Sequence, residues 1–338
     1  MIVKTKRYQG LFLLFLVILF ITFVLNVSIG SVRIPFFETC RILGRHLTDS
    51  VAGAIIWKIR LPRVLSTLFC GGYLAIGGLL LQVFFRNPIV GPFILGISSG
   101  ATLMVALVML AGLSVGLLSI HPFFLSLAAF SGALAVMVVI LLVASRVKNV
   151  ITLLIIGLMT GYVCHAVTSI LIAFAEKEKV KGFVLWQMGS FSGFSWQEFY
   201  LVLLLGLPLV IGAYLMSKQL NAFLLGEDYA KSMGVNIKVF RFLIVIFSSA
   251  LAGLVTAFAG PVAFIGLAVP HMARLTFGTS DNKLLIPAVV LFGAVVTALC
   301  DLVARTMFSP VELPISAITS FIGAPIVIAL LLKRRVAI

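Results

Sequence analysis

The sequence predicts an all-α polytopic membrane protein with about ten transmembrane helices and both termini in the cytoplasm. Three observations carry that expectation. Of 338 residues, 62% are hydrophobic and 10% charged, with a mean hydropathy of +1.24, whereas soluble domains hold about 25% charged residues. Apolar runs near the length that crosses a hydrocarbon core, about 17–25 residues, recur from end to end. The basic residues lie mainly in the short polar stretches between those runs.

Reading apolar runs between polar, Pro or Gly breaks places spans at 10–29, 64–85, 93–112, 122–144, 150–174, 199–217, 240–258, 261–272, 284–305 and 313–332. The first follows Lys4, Lys6 and Arg7, as a secretory signal would, but no small-x-small cleavage site follows Leu11–Leu25. An uncleaved first helix is therefore expected. The second contains Gly71-Gly72, Gly77-Gly78 and Gln82, and the fifth contains Gly157 and Gly161, a GxxxG spacing whose ordinary meaning is close helix packing. The eighth is anomalous: Gly260-Pro261 and Pro270 leave about ten residues, roughly 15 Å of helix, too short to cross about 30 Å of hydrocarbon. It reads as a short helix lining a transport pathway, with a kinked continuous helix as the plain alternative. One domain covers 1–338, with a cytoplasmic segment at 219–240.

An even span count puts both termini on one side. Fifteen of the 25 basic residues fall there, while seven of the ten acids fall on the other side, so the termini face the cytoplasm. This topology also accounts for the net charge of +15 and the pI near 10.1. No basic stripe with interleaved aromatics appears, which excludes nucleic acid as a partner. Cys40, Cys70, Cys164 and Cys300 show no paired spacing and read as packing residues rather than a disulfide or metal framework. No cofactor is indicated.

Residues 59–100 contain Ile59-Arg60-Leu61-Pro62-Arg63, the Gly-rich stretch Gly71 to Gly78 with Gln82, Asn87-Pro88, and Leu95-Gly96-Ile97-Ser98-Ser99-Gly100. Trp186-Gln187-Met188-Gly189-Ser190, Leu225-Gly226-Glu227, Pro261 to His271, and Glu312-Leu313-Pro314 running to Gly323-Ala324-Pro325 follow in order. In this set the chain resembles the iron-siderophore, haem and cobalamin permease family of ABC importers, over nearly its whole length. The third, eighth and ninth spans also draw on that resemblance.

The resemblance implies a ten-helix subunit in the bacterial cytoplasmic membrane, paired with a second copy of itself. It further implies two ATP-hydrolysing subunits inside and a substrate-binding protein outside. The chain has no G-x-x-x-x-G-K-[ST], so it is expected to be a transport subunit rather than an enzyme. By the same resemblance, Arg60, Arg63 and Arg305 dock the binding protein through bidentate carboxylate pairing. Leu225, Gly226, Glu227, Ala230 and Gly234 belong to a knob that couples to the ATPase, with Gly226 and Gly234 permitting its tight turns. Asn87, Ile89, Val150 and Ile151 match a cytoplasmic gate, where Val150 and Ile151 replace small hydroxyl residues and favour closure by dewetting. A haem-ligand role for His271 is set aside, because its motif recurs across substrates. Asp301 is expected to form a local i,i+4 pair with Arg305 rather than a proton relay.

The expected function is ATP-driven, binding-protein-dependent import of a metal chelate, first a ferric siderophore, with haem, cobalamin or an oxyanion as alternatives. The rival class, an ion-gradient-driven secondary transporter, lacks the ladder of buried acids or histidines that coupling requires. A non-transporting scaffold leaves the broken eighth span without a purpose.

Overall fold

A computed structural model describes residues 2–30, 32–48, 50–88, 90–111, 122–146 and 150–334. These residues form fifteen α-helices, a π-helical turn (Ile55–Arg60), a 3-10 turn (Pro92–Leu95) and no β-strand. The first expected span is α1 (Ile2–Ser28). The second belongs to a longer rod, in which α3 (Val51–Ala54) passes through the π turn into α4 (Leu61–Phe84). Then come α5 (Ile97–Met109), α6 (Pro122–Arg146), α7 (Val150–Phe174), α9 (Trp196–Leu215), α12 (Ile237–Ala259), α13 (Ile265–Phe277), α14 (Asn282–Thr306) and α15 (Ile315–Arg334).

Each expected span thus contains a helix, but among the described residues seven helices are long and apolar enough to cross a membrane. The shortfall has a length cause. Helices α5 and α13 have 13 residues each, about 20 Å, whereas α15 has 20 residues. The ninth span, by contrast, is a full 25-residue helix. Four short helices lie between the spans: α2 (Phe36–Arg45), α8 (Lys177–Gln187), α10 (Ser217–Leu224) and α11 (Glu227–Ser232).

Side-chain caps start several helices where the sequence offers an oxygen. Ser195 and Glu198 close a capping box on α9. The Asn236 carboxamide accepts the Val239 amide at 3.2 Å to begin α12, and the Asp281 carboxylate accepts the Lys283 amide at 3.0 Å to begin α14. The chain breaks between α12 and α13, where Gly260 has φ +72° and Phe264 φ +65°. The expected interruption at Gly260-Pro261 is real, and the helix resumes four residues later than the sequence placed it.

Helix α4 is the centre of the molecule, packed by α9, α12, α13 and α14. Glycine sets how close those helices come. A Cβ on Gly78 would lie 1.6 Å from the Gly266 carbonyl oxygen, and one on Gly71 would lie 2.3 Å from that of Gly293. No side chain fits at either crossing. Helix α1 leans on α14, while α5, α6 and α7 form a flank joined to the centre through α12. The GxxxG of α7 serves that packing, since Gly157 and Gly161 abut Leu95 and Gly96. The most apolar window of the α3–α4 rod is 83% buried, against 17% for those of α1 and α7.

Candidate functional site

Three places collect the residues that the sequence singled out. At one end of α4 and α14 lies a cluster of buried arginines. Arg60 and Arg63 flank the junction of the π turn with α4, and Arg305 lies near the end of α14. They are 4%, 6% and 6% exposed, respectively. Arg60 donates to the carbonyls of Val27 and Ser28, at 2.7 and 2.8 Å, and also to that of Val32. It thereby satisfies the orphan carbonyls at the end of α1. Arg63 grips two carboxylates: its Nε and Nη2 reach Asp301 at 3.1 and 2.9 Å, and its Nη1 and Nη2 reach Glu312 at 2.8 and 3.2 Å.

The expected i,i+4 pair of Asp301 with Arg305 is present, but it is the longer of two ion pairs made by Asp301. Arg305 Nε stands 3.9 Å from Asp301, while its Nη2 donates to the backbone and side-chain oxygens of Asn26. The chief partner of Asp301 is Arg63, because a guanidinium fork matches a carboxylate only when both approach in one plane. Glu312 is the one member with a side chain substantially open to solvent, at 41%.

The second place is the knob. Helices α10 and α11 meet at Gly226, whose φ of +136° admits no ordinary side chain, and α11 ends at Gly234 with φ +82°. Ala230 is buried. Glu227 pairs with Arg241 at 2.9 Å and with Lys231 at 3.4 Å, so its charge is largely met within the chain. Beside the exposed Asp228 and Lys231, an apolar row is presented: Leu225, Tyr229 and Met233 recur every four residues and stand open. Sequence reasoning named only Leu225 of these three, although the i,i+4 spacing was visible.

The knob is fastened at its back. The Asn221 side chain donates to Asp281 at 2.6 Å and accepts both the backbone and side-chain N–H of Asn282 at 2.8 Å. Arg86 donates to the Phe223 carbonyl at 3.1 Å and lies 4.9 Å from the centre of that ring. The knob is therefore tied to the end of α4 and the start of α14. The expected gate residues fall at the end of α4 and the start of α7: Asn87 is half-buried and Ile151 exposed. Ile89 lies outside the described residues, and α7 begins at Val150.

The third place is a cavity of about 520 Å³ bordered by α5, α7, Gln187, Pro261, Ala263 and Ser316. Its wall includes the break between α12 and α13, while the short helix after the break borders a second, smaller cavity through Ile265, Ala268, Val269 and Met272. Tyr162 and His165 line this cavity; His271 does not.

Comparison with known proteins places these features in context. The model of the FecCD transport family matches residues 18–333. The vitamin B12 import system permease protein BtuC of Klebsiella pneumoniae is 35% identical over 333 residues, covering 98% of this chain and 95% of that protein. The Salmonella typhi protein of the same name is 36% identical over 278 residues, covering 82% and 83%. Among solved structures, a metal-chelate type ABC transporter in an inward-facing conformation superposes with a TM-score of 0.84 at 30% identity, covering 97% of this chain and 99% of that one.

Proposed function

This chain belongs to the FecCD transport family and is a multi-pass permease of the ABC-importer type, and from that premise we propose that it carries a metal chelate inward across a bacterial cytoplasmic membrane. The end-to-end likeness to an inward-facing metal-chelate type transporter is the observation that carries this reading. In it, two copies of the chain form the pathway, two ATP-hydrolysing subunits bind on the cytoplasmic side and a binding protein delivers cargo from outside. About ten helices, counting short α5 and α13 as shielded spans together with α15, put both termini in the cytoplasm.

The coupling surface is the apolar row Leu225, Tyr229 and Met233 on the Gly226–Gly234 knob. Glu227 and Ala230 hold that knob in shape. Movement of the ATPase reaches α4 through Arg86 and α14 through Asn221. At the far end, Arg60, Arg63 and Arg305 stiffen the docking face. A partner carboxylate meets Arg63 by taking the place of Glu312, which is the exposed member of the cluster. Asn87, Ile89, Val150 and Ile151 form the inner gate.

Ferric siderophore is the first cargo in this reading, and cobalamin is the second, favoured by the name shared by the relatives above. The test is uptake by vesicles containing the chain, its ATPase and its binding protein. ATP-dependent accumulation of a ferric siderophore or cyanocobalamin supports the reading. Uptake that follows a proton or sodium gradient and ignores ATP would falsify it.

A further inference from the structure

Helix α7 carries Tyr162, His165 and Ser169 at intervals of three and four, on one helical face, and all three are exposed. Polar side chains at membrane depth turn toward protein or water, not lipid. The cavity beside them supplies that space. Within its wall, the hydroxyls of Thr102 and Thr168 are turned back onto the carbonyls of Ser98 and Cys164, at 2.8 and 2.9 Å. The side chains of Ser99, Tyr162, His165 and Gln187 make no hydrogen bond within the chain among the described residues, and each lines the cavity.

The chemistry of this wall is selective by what it contains. It offers hydroxyl, phenol, imidazole and carboxamide groups, with no Asp, Glu, Lys or Arg in the lining. Among the described residues there is also no group of three His, Cys, Asp or Glu placed to hold a metal ion. A bare divalent cation needs several converging imidazole, carboxylate or thiolate ligands, of which this wall has the single imidazole of His165, and a strongly anionic complex needs cationic partners. Neither finds them here. A cavity of this size falls within the range that holds compact ligands, about 300–1,000 Å³. Several weak neutral contacts also suit a cargo that must leave as readily as it enters.

We propose that this cavity is a cargo-contact site in which Ser99, Tyr162, His165 and Gln187 favour metal chelates of no net charge, rich in hydroxyl, amide or carbonyl groups, over bare ions and polyanionic complexes. The inference rests on the importer reading above and names the cargo class of that pathway.

The test uses the assembled transporter in vesicles. A Cys40→Ser background removes the exposed native thiol and leaves the buried Cys70, Cys164 and Cys300 as internal references. Tyr162→Cys and His165→Cys are compared with Leu14→Cys on the exposed apolar face of α1. A charged thiol reagent added from both sides should modify the two α7 variants at least tenfold faster than the α1 variant. A neutral ferric trihydroxamate or cyanocobalamin should slow that modification at least threefold, whereas Mn²⁺ and a trianionic ferric tricatecholate should not. Without any new thiol, Tyr162→Phe combined with His165→Leu should lower uptake of the neutral probe at least tenfold, with copurification of the ATPase as the control for assembly. Equal reaction rates on α1 and α7, protection by the anionic probe, or unchanged uptake in the properly assembled double variant would each overturn the proposal. Protection by the neutral probes in an assembly that shows no ATP-driven uptake would uphold the site and count against the importer reading alone.

Discussion

Helices α1 and α7 have much in common: both are long and apolar, and 17% of the most apolar window of each is buried. Their exposed sides differ in kind. On α1, Leu13, Leu14, Leu16, Val17, Phe20 and Ile21 stand open in succession, an all-apolar face suited to acyl chains. On α7, Tyr162, His165 and Ser169 interrupt a similar apolar surface along a single line. Exposure in a membrane protein has two solvents, and the side chains name which one each surface meets. A mean hydropathy of 2.8 for α1 against 1.8 for α7 gives only a diluted view of this difference.

Three changes would break or sharpen the contrast, beginning with the interior that both helices lack. Arg63→Leu leaves Asp301 buried without its main counter-charge, and breaking such a pair costs about 3–5 kcal/mol. Thermal unfolding of the purified chain should show a loss of that order, and Asp301→Asn added to Arg63→Leu should recover part of it. A charge on the lipid side comes next. Leu16→Lys should impair insertion by about 2.5–3.5 kcal/mol if it sits near the bilayer centre, while Ser169→Lys on the polar line of α7 should insert much better. Comparable membrane yields for the two would erase the proposed distinction. The smallest effect belongs to the knob, whose apolar row is the proposed contact with the ATPase. Tyr229→Ala should weaken ATPase copurification by about tenfold, roughly 1.4 kcal/mol, with the yield of the chain itself unaltered.

The sequence foretold the elements that are long and periodic. The fifth span was drawn at 150–174 and α7 occupies those residues. The break after α12 was visible because Gly and Pro punctuate the chain locally. Pairing across the chain left no such trace. Arg63 and Asp301 are 238 residues apart, and nothing in spacing connects them, whereas the i,i+4 contact of Asp301 with Arg305 is legible from local helical geometry. The knob shows the same limit. Glu227 looked like a charge available to a partner until folding brought Arg241 against it. Helices α2 and α8 were missed for another reason, since each is only 10–11 residues long and neither is a hydrophobic span.

The separation of Arg63 from Asp301 also has a meaning in time. A ribosome adding about 5–20 residues per second needs roughly 10–50 s to make the 238 residues between them. The carbonyls that receive Arg60 are already present when α4 emerges, so the α1–α4 corner has its clasp at once. Arg63 does not, since its carboxylate partners Asp301 and Glu312 are made only with α14 and the residues after it. The central helix of the finished permease is therefore among the first made and the last to be neutralised, and a chain truncated before Asp301 would present that unpaired arginine as a mark of incompleteness to membrane quality control.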